Sequence, residues 1–424
     1  MARTKELKRR IIITSNGLDF PCGFAPNAQG KELGQALIGL GFDPLMVPQK
    51  LSSFPDGEAS GTYFGIPYDY LCDTRRFAGG IRNPFFGKVL SACFSVVASL
   101  RLSFYLIRNR KTLAAVFDLS NQTLPLMIEG ITCRLLGIPL VYFLWEEVCA
   151  HRVNRQSSKS MKWVHRLIAL VEAPLLYGIA LRFPCRITYL TVAAYDYLRK
   201  WGYSNTVLCD FPVVKYQKPV QRPLDRPQHG FDLVFTGTIN CEKDDFMTVV
   251  KAIAALKEEQ PELRMRIYGS TEGSAREDIL AVAEDYHVSD RVEFMGWYKL
   301  EDLDIVRREA LALLVLKKNT VFNHYNFPSR ILDFIDSGRP LLISDLPTHC
   351  KYFKDRHNAF VIEEGNIEQL IGAIQTIIEN LDMVTSMTDA AAGLLDERFN
   401  ADKHLRELLG SLKLLDHTAD TVLV

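Results

Sequence analysis

Residues 323–345 read N-H-Y-N-F-P-S-R-I-L-D-F-I-D-S-G-R-P-L-L-I-S-D, which lays out a loop, a helix, a turn and a strand. Pro328 suits the first helical turn, where its missing N–H costs nothing. Ile331, Leu332, Phe334 and Ile335 give the helix one apolar face. Gly338 stops it, and Pro340 opens the apolar strand Leu341–Ser344. Ser329 and Arg330 fall beside the free N–H groups of the first turn, where an anion is expected to sit. Asp333 lies one turn further in, within reach of a ligand held there.

The same rhythm extends in both directions. Strands are expected at 233–239, 265–269, 292–295, 312–316, 341–344 and 359–362, with helices near 245–257, 274–286, 300–309, 328–337 and 366–380. Six strands alternating with five helices predict one doubly wound α/β sheet, here placed at 231–400. Upstream, Pro212, Pro219, Pro223 and Pro227 stand among Lys, Arg and Gln, and mark 213–230 as a linker. Downstream, 401–424 opens with an amphipathic helix.

The part before the linker, 1–212, is a second Rossmann-like unit. R-I-I-I-T-S-N at 10–16 reads as its first strand, followed by a loop with Gly23 and Gly30 and a helix over 31–40. Further strands are expected at 114–120, 140–145, 186–191 and 206–211, with helices at 125–136, 162–181 and 193–201. Residues 48–88 show little periodicity and read as irregular. No G-x-G-x-x-G fingerprint follows the first strand.

Composition narrows the class. The chain has 424 residues, 48% apolar and 24% charged, with Lys+Arg and Asp+Glu equal at 50 each, so no bulk field argues for nucleic acid. Nine cysteines are scattered without a C-x-x-C pair, as expected of reduced thiols in a cytoplasmic protein. The basic start M-A-R-T-K-E-L-K-R-R runs into a strand without a secretory h-region. One segment is unusual. Residues 89–100 carry no charge, and 102–107 continue the apolar run until Arg108, Arg110 and Lys111. Two readings stand for it: a helix lying on an anionic membrane surface through residues 89–111, or a buried helix covering the first sheet.

F-P-S-R-I-L-D-F-I-D-S-G-R-P-L-L resembles the F-P-S-K-x-x-E-Y-x-x-x-G-K-P-V stretch of retaining GT-B glycosyltransferases of the family-4 type. The resemblance is clear over roughly 230–380 and loose over 10–212. It implies two Rossmann-like domains facing each other across a cleft, with a C-terminal helix returning to the first. It also implies sugar transfer from a nucleotide-diphosphate sugar to a glycan or lipid-linked acceptor with retention of configuration, in cell-surface polysaccharide assembly, with no cofactor and no metal. The implied donor site comprises Gly237 and Lys243 (F-T-G-T-I-N-C-E-K), Gly269 (I-Y-G-S), Gly296 and Trp297 (F-M-G-W-Y), then Pro328, Ser329, Arg330 and Asp333. The basic residue would face the diphosphate and Asp333 the ribose.

V-Y-F-L-W-E-E resembles the family's V-Y-E-L-H-E segment, which makes Glu146 and Glu147 the candidate catalytic carboxylates; His151 nearby belongs to no motif. Gly23, Gly30, His324, Tyr325 and Asn326 are the implied sugar and acceptor contacts. The chain departs from the pattern at Thr238, where Arg is common, at Tyr325, where the first Glu of Glu-x7-Glu would stand, and at Trp145. Those departures keep open a non-catalytic scaffold that binds nucleotide or glycan, and a sugar-nucleotide epimerase or hydrolase.

Overall fold

The computed structural model describes residues 9–20, 25–49, 58–71, 84–145, 170–216, 231–298 and 300–415. The chain divides into two compact units, 1–216 with 400–424, and 217–399. Each is built on its own α/β sheet, wholly parallel in the second unit and parallel but for one edge hairpin in the first.

The first unit has eight strands: β1 (Arg10–Ser15), β2 (Asp43–Pro48), β3 (Ser60–Tyr63), β4 (Ile66–Asp69), β5 (Leu113–Asp118), β6 (Leu140–Leu144), β7 (Arg186–Tyr189) and β8 (Leu208–Asp210), in the order β3-β4-β2-β1-β5-β6-β7-β8. β1 and β5 are buried along nearly their whole length, which is why both read as unbroken apolar runs. The region expected to be irregular holds a hairpin: β3 pairs antiparallel with β4 across Phe64 and Gly65, both at positive φ. β2 was hidden by Pro44 and Pro48, yet it pairs with β1 along its length.

Helix α1 (Ala25–Gly39) begins earlier than expected, so Gly30 is a helical residue and not part of a loop. A Cβ there would come within 3.3 Å of Leu18, so this glycine serves close packing of helix on sheet. Helices α2 (Pro84–Asn109) and α3 (Thr123–Leu136) pack on each other, pinned where Thr132 Oγ1 donates to Ser103 Oγ at 2.9 Å. Helix α2 is neither wholly buried nor wholly exposed. Leu102 and Leu106 are fully buried under the helix, while Phe104 and Ile107 are exposed. The helix Ala401–Ser411 returns to this unit, burying Leu405, Leu408 and Leu409 in its core, and Arg186 donates to the Ser411 carbonyl at 3.0 Å.

The second unit carries β9 (Phe231–Thr236), β10 (Leu263–Tyr268), β11 (Val292–Gly296), β12 (Ala312–Val315), β13 (Leu341–Ser344) and β14 (Phe360–Ile362) in the order β11-β10-β9-β12-β13-β14. All pairs are parallel. The direction of winding reverses between β9 and β12, and open α/β sheets bind ligands at the carboxyl ends of strands beside such a reversal. Beyond the expected helices lie a long one at Leu381–Glu397 and short turns at Val321–His324 and Pro347–Cys350.

Candidate functional site

Three glycines line the carboxyl edge of the second sheet. Gly237 N–H donates to the Tyr268 carbonyl at 2.8 Å, and Gly269 N–H to that of Gly296 at 2.7 Å. Gly237 sits at φ +138° and Gly269 at +139°, conformations that L side chains rarely adopt. Space forbids a side chain as well. A Cβ on Gly269 would lie 1.8 Å from the Gly237 carbonyl oxygen, and one on Gly237 would lie 2.5 Å from Arg330 Nη1.

Arg330 therefore reaches the end of β9. Its guanidinium stacks over the Phe235 ring at 4.3 Å, and Nη2 lies 3.5 Å from Asp244 Oδ1. The same carboxylate oxygen receives Lys317 Nζ at 2.6 Å. Asp244 follows the β9 loop and Lys317 follows β12, so this ion triad closes over the reversal point of the sheet. Burial pulls the Lys317 ammonium down to about 8 against the opposing pull of Asp244, and lowers Arg330 too. Nε of Arg330 is buried without a hydrogen bond, and Nη2 has only its long ion-pair contact with Asp244, so the fixed cationic group keeps donor capacity.

His349 is buried beside this triad, with Nδ1 3.0 Å from the Ser344 carbonyl oxygen. Burial, with Lys317 and Arg330 adding repulsion, holds its ring down at about 4, so it is neutral at pH 7. Ser344 Oγ accepts from Lys317 N–H and donates to the Val315 carbonyl at 3.2 Å, which fixes where the β12 strand ends.

The other expected residues distribute around this centre. Lys243 Nζ sits over the Phe322 ring at 4.4 Å, and its carbonyl accepts from the buried Asn323 amide at 2.9 Å. Trp297 is 66% exposed, which excludes a core role for it. The Asp333 carboxylate is 3.7 Å from Arg307, itself held at 2.9 Å by Asp304. His324 Nε2 contacts Asn319 Oδ1 at 2.7 Å, and Tyr325 and Asn326 follow the short helix, partly buried. The helical turn itself differs from expectation. Ile331 and Leu332 N–H groups bond back to the Pro328 and Ser329 carbonyls, both at 3.1 Å, so these two are not donors for an anion. Gly23, Glu146, Glu147 and His151 lie outside the described residues.

Asp244, Lys317 and His349 escaped sequence reasoning. Their signal was faint: a lysine directly after an apolar strand, and a carboxylate in the loop opposite. The first unit holds a second unforeseen cluster. Asp118, ending β5, accepts from Ser120 N–H at 2.7 Å; Gln49 donates to the buried Glu129 of α3, and Ser95 of α2 donates to the Gln49 carbonyl at 2.8 Å. Burial pushes Asp118 up to about 6, and burial with Asp118 alongside pushes Glu129 well above the carboxylate range. Among the described residues no group of His, Cys, Asp and Glu is arranged to hold a metal ion.

The unit that carries the ion triad is also the part of the chain with a sequence match. Residues 220–393 match the family model described as glycosyl transferases group 1. All three triad residues, the three edge glycines and Asp333 lie inside that match.

Solved structures align over nearly the whole chain. Sucrose-phosphate synthase from Thermosynechococcus elongatus superposes with a TM-score of 0.68 at 14% identity, covering 96% of this chain and 99% of that one. Anabaena Alr3699/HepE, solved with UDP and glucose, gives 0.65 at 12% identity over 96% and 100%. WaaG, a glycosyltransferase involved in lipopolysaccharide biosynthesis, gives 0.62 at 14% identity over 94% and 98%. At these identities the likeness is one of fold, and the fold is GT-B. No curated protein matches the chain by sequence.

Proposed function

We propose that the chain is a glycosyltransferase that takes a sugar from a nucleotide-diphosphate sugar and passes it to a glycan or lipid-linked acceptor. The family match and the fold support glycosyl transfer. The observation that carries the reading further is the Lys317–Asp244–Arg330 triad at the reversal point of the matched unit. Departure of a nucleoside diphosphate builds negative charge on oxygen, and fixed cations in a dry setting stabilise it most. Asp244 holds two such cations apart and in place, with Arg330 donors unspent.

In this reading Arg330, Lys317 and Lys243 face the diphosphate, in place of a metal. Gly237 and Gly269 let that group approach the main chain. Asp333 receives the ribose hydroxyls, with Gly296 and Trp297 against the base. Glu146 and Glu147 act on the sugar or acceptor, and transfer retains anomeric configuration, through attack from the face of the leaving group. Thr238 lacks the usual cation, and Arg330 takes over its charge from across the Gly237 loop. Uridine is the first base to test, because HepE is solved with UDP and with UDP-glucose. WaaG, a glycosyltransferase involved in lipopolysaccharide biosynthesis, makes surface polysaccharides the first acceptors to test.

The test is turnover of UDP-sugars with and without glycan or lipid-linked acceptors. Release of UDP that depends on acceptor supports a transferase. Release indifferent to acceptor identifies a hydrolase, and no release with firm UDP binding identifies a scaffold.

A further inference from the structure

Among its described residues, the first unit presents an exposed apolar face. Leu100, Phe104 and Ile107 project from α2, with Phe104 71% exposed. Ile131 and Leu135 project from the packed neighbour α3, with Leu135 81% exposed. Leu175 and Ile179 continue the face on residues 174–182, which pack against α3. A lone exposed leucine is ordinary, but one apolar stripe shared by consecutive packed helices is not. The Ser103–Thr132 contact places the α2 and α3 stripes side by side.

The exposed charges around the face are predominantly basic. Residues 84–109 contain no Asp or Glu, residues 174–182 contain none, and the single carboxylate of α3, Glu129, is buried. The one acidic residue at the border, Glu172, is half-buried and accepts from Thr123 Oγ1 at 3.4 Å. Arg101 and Arg108 stand on α2, with Arg110 and Lys111 directly after it. At the end of α3 the face runs into a recess of about 600 Å³ lined by Arg134, Arg182, Arg186 and Lys413, with no acidic residue in its lining. Two of these cations are engaged: Arg182 donates to the Trp201 carbonyl at 2.9 Å, and Arg186 to that of Ser411 at 3.0 Å. Arg134 lies in the last helical turn and Lys413 follows the returning helix.

We infer that this face docks the first unit on an anionic lipid surface, with the apolar side chains entering the headgroup–acyl boundary and the recess at the end of α3 taking a lipid phosphate. A protein partner of ordinary composition would meet an apolar patch with a strong excess of cations around it, whereas a bilayer of anionic lipid complements both features at once. Among the described residues no helix is long and apolar enough to cross a membrane, so the face lies on the surface. The surface extends well beyond residues 89–111, because α3, residues 174–182 and the recess belong to it.

The test is co-sedimentation of the full chain with vesicles of phosphatidylcholine alone or mixed with phosphatidylglycerol. No nucleotide or acceptor enters, so the outcome is separate from that of the transferase reading. The intact chain is expected to bind the mixed vesicles at least roughly tenfold more strongly than the neutral ones, and to release at high salt. F104S/L135S removes apolar contact, and R134Q/K413N removes two recess cations while leaving a residue at 413 that tolerates its φ of +58°. Each is expected to lose roughly tenfold in vesicle binding with an unchanged melting temperature. Equal binding to both vesicle types, no binding to either, or variants that bind like the parent would overturn the inference. So would a chain that self-associates through F104 and L135 and ignores vesicles.

Discussion

At the scale of single residues, close approach explains more than charge. Gly237 and Gly269 are required because their neighbours already occupy the space of a side chain. Gly269→Ala is expected to destabilise the second unit by about 4 kcal/mol or more, since strain and a backbone clash add; a melting temperature within a degree or two of the parent would show that the loop relaxes. Arg330→Ala is expected to weaken nucleoside-diphosphate binding by ~1.5–3 kcal/mol, the range for hydrogen bonds to a charged group. Calorimetric titration measures it, and an unchanged Kd removes Arg330 from the site.

His349 makes a pH prediction. Its ring titrates near 4 in the folded chain against 6.5 when unfolded. Between those values only the unfolded chain takes the proton, so stability falls as pH drops from 6.5 toward 4, by an amount on the order of 3 kcal/mol. Denaturant unfolding of the parent and His349→Gln at several pH values checks this; parallel pH profiles would contradict it.

At the scale of elements, long apolar strands were legible and short polar-edged ones were not. β1, β5, β12 and β13 are buried along all or nearly all their length and read directly as apolar runs. Toward the sheet edge, β10 and β11 instead mix buried residues with the half-exposed Arg264, Arg266 and Glu293. β2 contains two prolines, and the β3–β4 hairpin is only four residues on each side, so neither shows a period strong enough to read. Gly30 looked like a loop because glycine usually breaks helices, while here it sits in the helix where a Cβ would crowd Leu18 at 3.3 Å. The edge glycines were legible one loop at a time. The Asp244–Lys317 pairing was not, because it joins loops far apart in sequence, and only strand order brings them together.

The buried cluster between α2, β5 and α3 belongs to this scale too. Asp118 titrates near 6 in the folded chain against 3.8 when unfolded. The cost of burying its charge is therefore full above pH 6 and is relieved as pH falls toward 3.8. Asp118→Asn is expected to stabilise the chain by on the order of 2 kcal/mol at pH 7.5, with the gain vanishing near pH 4. A loss at pH 7.5 would mean that the Asp118 carboxylate, not its neutral form, is what the cluster is built around.

At the scale of the whole chain, the two units carry different duties. The second holds the family match, the glycine edge and the cationic triad. The first holds the returning helix and a basic, apolar outer face. The first unit's candidate carboxylates, Glu146 and Glu147, rest on the family resemblance, whereas the triad of the second rests on geometry, so nucleotide binding is the claim to test before catalysis.

The most direct measurement is the melting temperature of the purified chain with saturating UDP, GDP, ADP, dTDP or CMP. A ligand held by the folded triad raises it by mass action, by about 2.7 kcal/mol of stability at a hundred times its Kd. UDP is expected to give a clear upward shift that Arg330→Ala cuts by roughly half or more. No shift with any of the five nucleotides would contradict a nucleotide-diphosphate site at the β9–β12 reversal.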